Sequence, residues 1–155
     1  MSSKTKNLII NIAIPLFVGA VSAFISRDGM QNFENIAKPP FSPPAILFPI
    51  VWTVLFILMG IASYLVSSSK SHLSPDNALT VYYIQLGVNF FWSIFFFKFG
   101  LYLFSFFWLI LLWVFIIVTI VLFRRISKPA SNLLIPYLIW VTFAGYLNLG
   151  IALLN

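Results

Sequence analysis

Cysteine is absent from the 155 residues, which excludes disulfides, thiolate metal sites and cysteine nucleophiles. Charge of either sign is scarce. Only 8% of residues are charged, where a soluble domain carries about 25%. Asp and Glu together number three, and His72 is the single histidine, a lone residue in a polar stretch that reads as solvated. The long apolar runs contain no ionisable Asp, Glu, Lys, Arg or His. Neither an acid–base pair nor the charge relay of an ion pump is available there, and no metal-ligand set is present. The net charge of +6 raises nucleic acid as a partner, but the basic residues stand at the ends of apolar runs. That placement marks membrane anchoring and topology rather than a groove for phosphates.

What the chain does have is hydrocarbon: 61% hydrophobic residues and a mean hydropathy of +1.03. Too little polar surface remains to cover a globule in water, so lipid is the expected solvent. Apolar runs recur at about Asn7–Ser26, Ile46–Ser67, Ala78–Phe97, Leu101–Phe123 and Leu133–Leu154. Each approaches the ~20 residues needed to cross a ~30 Å hydrocarbon core. The runs are too long for strands and do not alternate. They predict an all-α, integral membrane bundle of five transmembrane helices, forming a single domain over residues 1–155 without internal repeats. Lys4 and Lys6 ahead of the first run imitate a signal peptide, with "AVS" at Ala20–Ser22 as a weak cleavage site. The length of the run and the spans that follow favour a retained helix.

The breaks have recognisable chemistry. "SRDGMQNFENIAKPPFSPP" is the longest connector, and its end, "KPPFSPP", places four prolines in seven residues. Proline fixes φ and has no N–H, so this stretch is a stiff non-helical segment. "SSSKSHLSPDN" reads as a loop in which Ser74 or Asp76 caps the third helix. "KFG" at Lys98–Gly100 reads as a tight turn, and "RRISKPASN" joins the last two helices. An odd number of spans puts the termini on opposite sides. Lys4, Lys6, Lys70, Arg124, Arg125 and Lys128 share one side; Arg27, Lys38 and Lys98, beside Asp28 and Glu34, share the other. The positive-inside rule predicts a cytoplasmic N-terminus in a multi-pass protein of the cell membrane, with the first loop and the C-terminus extracellular.

With charge absent from the spans, their few amides and tryptophans carry the information. Gln85 and Asn89 are spaced i,i+4 on the third helix, with Trp92 three residues on. Trp140, Ala144 and Asn148 form a stripe on the fifth. Trp52, Phe56 and Ser63 lie roughly on one side of the second. Gly19, Ser22, Ala23 and Ser26 supply small residues on the first. Each has a plainer role. Intramembrane amides serve as interhelical glue worth about 0.6–2 kcal/mol, and tryptophans populate the interfacial belt. Gly19 and Ala23 read best as a close-packing pair. Trp108 and Trp113 read as facing lipid or a second subunit. Together, amides and tryptophans at similar depth on three helices describe one aromatic cavity with a few hydrogen-bonding points. The proline-rich connector would be its stiff lid.

These residues resemble the translocator protein family, also called the tryptophan-rich sensory protein or peripheral benzodiazepine receptor family. The matching blocks are "KPPFSPPAILFPIVWTVLFILMGIASYLV", "QLGVNFFWSIFFF" and "PYLIWVTFAGYLN". The resemblance implies a five-helix bundle, commonly a homodimer, with a pocket on the side of the first loop. It implies protoporphyrin IX and heme-like tetrapyrroles as ligands, together with synthetic isoquinoline carboxamides and benzodiazepines, and no intrinsic cofactor. Carried over residue by residue, the pocket would comprise Trp52 and Phe56, then Gln85, Asn89 and Phe90, then Trp140, Phe143, Ala144 and Leu147, closed by Ser22 and Pro43. Three features depart from the family pattern. The chain after Asn148 reads "LGIALLN", without the Tyr and Arg through which animal members bind cholesterol. Phe41 stands where the loop often has Trp, and Asn32–Phe33 where it often has a Trp–aromatic pair.

The resemblance also implies light-dependent breakdown of bound porphyrin. The ligand would be its own photosensitiser, and Trp52 and Trp140 would be the oxidisable side chains beside it. Two other functions fit the same chain: a tetrapyrrole transporter, and a non-catalytic sensor read by a partner. Transport finds no repeat, no paired broken helices and no buried coupling charge in the sequence.

Overall fold

The computed structural model describes all residues, 1–155. Helix α1 runs Ser3–Phe33, α2 Leu47–Ser67, α3 Asp76–Ser93, α4 Tyr102–Ile126, α5 Lys128–Leu133 and α6 Ile135–Leu154. A π-helical turn, Ile94–Lys98, extends α3. Five helical segments are long and apolar enough to cross a membrane, with α5 and α6 together making the fifth.

Local chemistry accounts for most of the boundaries. Ser2 caps α1, its Oγ accepting from Thr5 N–H at 3.2 Å. Neither Ser74 nor Asp76 caps α3, whose N-cap is Pro75; Ser74 Oγ accepts from Asp76 N–H at 3.3 Å in the turn that leads into the helix. Gly100 takes φ +62° in the turn before α4, a conformation glycine adopts freely. Ser127 separates α4 from α5 and caps the latter, its Oγ accepting from Ala130 N–H. Pro136 has no N–H to donate, so the fifth span breaks at Leu134 and restarts as α6.

Two segments differ from the expected layout. The first span was expected to end near Ser26, yet α1 continues to Phe33. Arg27 and Asp28 mark where the chain leaves hydrocarbon, not where the helix ends, because no proline intervenes before Pro39. The expected connector between the last two spans is mostly helix, reduced to Ser127 and the break at Leu134.

Around the bundle the order is α1, α2, α5 with α6, α4 and α3, closing back on α1. The core lies midway along the helices: Met59, Ala62, Leu112 and Ile116 are fully buried. Gly60 lets α1 and α2 touch, since a Cβ there would strike the Ile12 backbone. Gly29 does the same between α1 and the π-helical turn, where a Cβ would strike the Phe97 carbonyl. Each of four neighbouring pairs shares a side-chain hydrogen bond. Ser63 Oγ donates to Asn11 Oδ1 (α2–α1, 2.9 Å), and Ser22 Oγ to the Phe90 carbonyl (α1–α3, 3.2 Å). Trp108 Nε1 donates to the Val88 carbonyl (α4–α3, 2.8 Å), and Trp113 Nε1 to Thr142 Oγ1 (α4–α6, 2.9 Å). Both tryptophans of α4 therefore bridge helices, although Trp113 keeps part of its ring at the outer surface.

Candidate functional site

Where α1, α2, α3 and the π-helical turn meet near the first loop they frame a partly open cavity of about 170 Å³. Trp52 forms one wall, stacked on Phe56 with centroids 5.6 Å apart and 6.3 Å from Trp92. Trp92 stacks in turn on Phe96 at 5.3 Å. Small residues of α1, Gly19, Ser22 and Ala23, form the facing wall, and the Phe56 ring occupies the space a Gly19 side chain would need. Met30, Phe33, Phe48 and Phe97 close the loop end. Polar atoms are few. Ser22 Oγ is spent on the Phe90 carbonyl. Asn89 Nδ2 donates to the Tyr137 hydroxyl at 2.7 Å, while its Oδ1 accepts from no group of the protein. The cavity therefore offers a free acceptor between aromatic walls, suited to a flat ligand carrying an N–H.

Of the residues expected at the site, Ser22, Trp52, Phe56 and Asn89 line this cavity together. Gln85 lies deeper and fully buried. It accepts from the Tyr137 hydroxyl at 2.7 Å, and its Nε2 sits 4.0 Å from Met59 Sδ. Gln85, Tyr137 and Asn89 thus form one hydrogen-bonded chain joining α3 to α6. A second chain runs from Trp92 Nε1 to Asn148 Oδ1 (3.0 Å) and from Asn148 Nδ2 to the Tyr102 carbonyl (2.7 Å). Phe90 offers its carbonyl to Ser22 and turns its half-buried ring against Phe91. Ala144 and Leu147 are buried on α6. Trp140 and Phe143 line a separate hollow, a groove of about 630 Å³ between α2 and α6. Trp140 still meets the cavity wall edge-on, its ring centroid 5.8 Å from that of Phe48.

The lid is fastened to α6. Pro39 is buried against Gly150, leaving no room there for a Cβ. Tyr146 donates its hydroxyl to the Pro40 carbonyl at 2.8 Å. Asn155 grips Ala37 from both sides: its Nδ2 donates to the Ala37 carbonyl at 2.8 Å, and its Oδ1 accepts from Ala37 N–H at 3.2 Å. Lys38 folds inward, with Nζ 4.8 Å from the Phe33 ring centroid. Pro43 is half-buried in the lid and is not one of the cavity walls.

Met30 escaped sequence reasoning, Phe33 was read only as a loop position, and Phe97 was not singled out. The first two lie on the unexpected extension of α1, and Phe97 lies on a π-helical turn that apolar periodicity does not reveal. Trp92 was legible from its spacing to Asn89.

Comparison with known proteins agrees with this architecture. The pattern of the TspO/MBR family matches residues 11–154. The chain is 41% identical to the tryptophan-rich protein TspO of Chlorobaculum tepidum, covering 100% of this chain and 99% of that one. It is 34% identical to protein CrtK of Rhodobacter capsulatus, over 88% of this chain and 85% of the other. The translocator protein of Ovis aries is 32% identical over 81% of this chain and 75% of its own. With its five membrane-crossing helices and matches along essentially its whole length, the chain belongs to the TspO/MBR family.

Proposed function

We propose that this membrane protein is a receptor for flat tetrapyrroles such as protoporphyrin IX, and that it promotes the light-dependent oxidation of the porphyrin it holds. The observation that carries the reading is the cavity under the lid, where Trp52, Phe56 and Trp92 make aromatic walls around the free Asn89 Oδ1. A pyrrole N–H or a ligand amide would donate to that oxygen while the ring lies against Trp52. Isoquinoline carboxamides and benzodiazepines present the same flat outline and compete for the same place.

Size sets a condition. A cavity of about 170 Å³ is close to the ~150 Å³ hollow that takes up benzene, whereas drug-sized ligands fill about 300–1,000 Å³. Binding a porphyrin must therefore displace part of the wall. Phe48 and Trp140 are the movable parts, because no hydrogen bond holds either ring, whereas amide chains hold α3 to α6 and Tyr146 and Asn155 latch the lid.

The photochemistry needs only light, dioxygen and the ligand. The excited ring gives one electron to dioxygen, leaving a ring radical cation and superoxide. A stacked indole shares the electron hole and delays its return. Superoxide then adds to the ring cation at a bridging carbon, so both oxygen atoms end in the product and no outside reductant is required. Trp52 at the cavity wall, and Trp140 behind Phe48, would be the indoles that fill this role.

Carriage across the membrane, which the relatives' name translocator protein brings to mind, meets a bundle packed solid beneath the cavity by Met59, Ala62, Leu112 and Ile116. Absorbance titration with protoporphyrin IX in the dark, followed by illumination, tests the reading. Saturable binding followed by light-dependent loss of the Soret band is expected. Binding without light-dependent loss would reduce the protein to a sensor, and no binding would overturn the reading. Conversion of Trp52 to Phe preserves most of the apolar contact and removes the readily oxidised indole. Affinity should change less than about threefold while the illuminated rate falls by about tenfold or more.

A further inference from the structure

We propose that the groove between α2 and α6 is a lateral portal through which a flat, uncharged aromatic ligand passes from the bilayer into the cavity, with Phe48 and Trp140 as its gate. The proposal rests on the tetrapyrrole reading above and adds the route to it. Three observations place the route here. The seam is the one neighbouring pair in the ring of helices that no hydrogen bond crosses; α1–α2, α1–α3, α3–α4 and α4–α6 are all bonded. The groove is walled by hydrocarbon and aromatic side chains, among them Val54, Leu58, Ile139 and Phe143, on a face that hydrocarbon surrounds. The groove is a shallow hollow open to the bilayer, with about 630 Å³ of space in which a flat ligand could lie before it enters.

Two ring pairs separate groove from cavity. Trp52 meets Tyr137 at 6.2 Å, and Tyr137 is fixed by its bonds to Gln85 and Asn89. Phe48 meets Trp140 at 5.8 Å, and neither ring is held by a hydrogen bond. Trp140 Nε1 is buried without any partner, so turning this indole aside breaks no hydrogen bond. The aqueous side is barred by contrast, since opening the lid must break the bonds of Tyr146 and Asn155 and lift Pro39 off Gly150.

The test is stopped-flow quenching of tryptophan fluorescence by protoporphyrin dimethyl ester, in the dark, with the full chain in lipid nanodiscs. Val54→Leu, Val54→Phe and Val54→Trp fill the groove progressively, as does Ile139→Trp. Both sites are more than half exposed on the bundle surface, so added volume projects into lipid and not into the core. Association and dissociation should both slow with side-chain size, by about tenfold for Val54→Trp, with the dissociation constant unchanged. Phe107→Trp, on the outer face of α4, is expected to leave both rates alone. Tyr146→Phe and Asn155→Ala, which unlatch the lid, should leave association of the ester within about twofold of the parent. Faster association in the unlatched variants with indifference to Val54 and Ile139 would overturn the portal in favour of the lid. Weakened affinity in the filled variants without slowed exchange would overturn it by making the groove part of the binding site. No binding by the parent protein would overturn the tetrapyrrole reading and the portal together, whereas normal binding with rates indifferent to the groove overturns the portal alone.

Discussion

Tyr137 shows how little polarity a membrane bundle needs to become specific. Its hydroxyl donates to Gln85 and accepts from Asn89, so one atom sets the rotamers of two amides and, through its ring, the edge that faces Trp52. Conversion of Tyr137 to Phe removes a partner from each amide. Buried groups left unpaired cost about 1–3 kcal/mol in water-soluble proteins and less in membranes, where other partners can be found. A loss of about 1 kcal/mol is expected, read as a lower midpoint in thermal unfolding in detergent. Gln85→Leu added to Tyr137→Phe should recover part of it, because the acceptor left unpaired is then gone. Phe41 is the opposite case. It holds φ +65°, the left-handed region, with 89% of its surface exposed, so its ring repays none of the strain. Glycine adopts that backbone freely, and the L-residue penalty is about 1–2 kcal/mol. Phe41→Gly should therefore leave thermal stability unchanged or raise it slightly. A marked loss would mean that the Phe41 ring is bound by the membrane interface.

Helices were legible because hydrocarbon thickness dictates their length: each of the five apolar runs became a span. Their ends were less so, since charge reports where water begins and not where i→i−4 bonding stops. Arg27 and Asp28 therefore disguised the last turns of α1, which carry Met30 and Phe33 to the cavity. The site was legible in part for a related reason. Spacing put Asn89 and Trp92 on one face, but it does not say whether an amide spends its bonds on a neighbour or keeps one free. Gln85 spends its carbonyl on Tyr137, whereas Asn89 keeps its Oδ1. Nor does spacing separate two hollows that share a wall, which is how Trp140 and Phe143 came to lie in the groove while Trp52 lies in the cavity. Close helix contacts make a sharper expectation. A Cβ on Gly29 or Gly60 meets backbone, which cannot rotate away, while a Cβ on Gly87 meets nothing within 4 Å. Gly60→Ala and Gly29→Ala should each cost about 1–3 kcal/mol by overpacking. Gly87→Ala should be neutral or stabilising by up to about 1 kcal/mol through helix propensity. Thermal unfolding of the three variants side by side checks this, and a Gly87 variant as damaged as the other two would contradict the helix contacts described.

At the scale of the whole molecule, charge and cavity are segregated. The nine basic residues divide six to three between the two ends of the bundle. Lys4, Lys6, Lys70, Arg124, Arg125 and Lys128 gather opposite the lid. Arg27, Lys38 and Lys98 share the lid end with Asp28 and Glu34, and the lone ion pair, Arg27 with Asp28 at 3.9 Å, is too exposed to matter for stability. Lys and Arg near span ends set orientation while acidic residues contribute little, so the positive-inside rule predicts a cytoplasmic basic end and an outward-facing lid. The absence of native cysteine makes this directly measurable, because any introduced thiol is the sole reporter. Asn35, just past α1 at the lid end, and His72, in the loop between α2 and α3, are both exposed and belong to neither hollow. Asn35→Cys should react with a membrane-impermeant maleimide added to intact cells, and His72→Cys only after the membrane is broken. The reverse pattern would place the lid in the cytoplasm, where a porphyrin would reach the cavity from the inner leaflet. Labelling of both in intact cells would mean that the protein inserts in two orientations. Six basic residues against three would then be too small a bias to hold one topology, and adding Lys beside Lys70 should restore it.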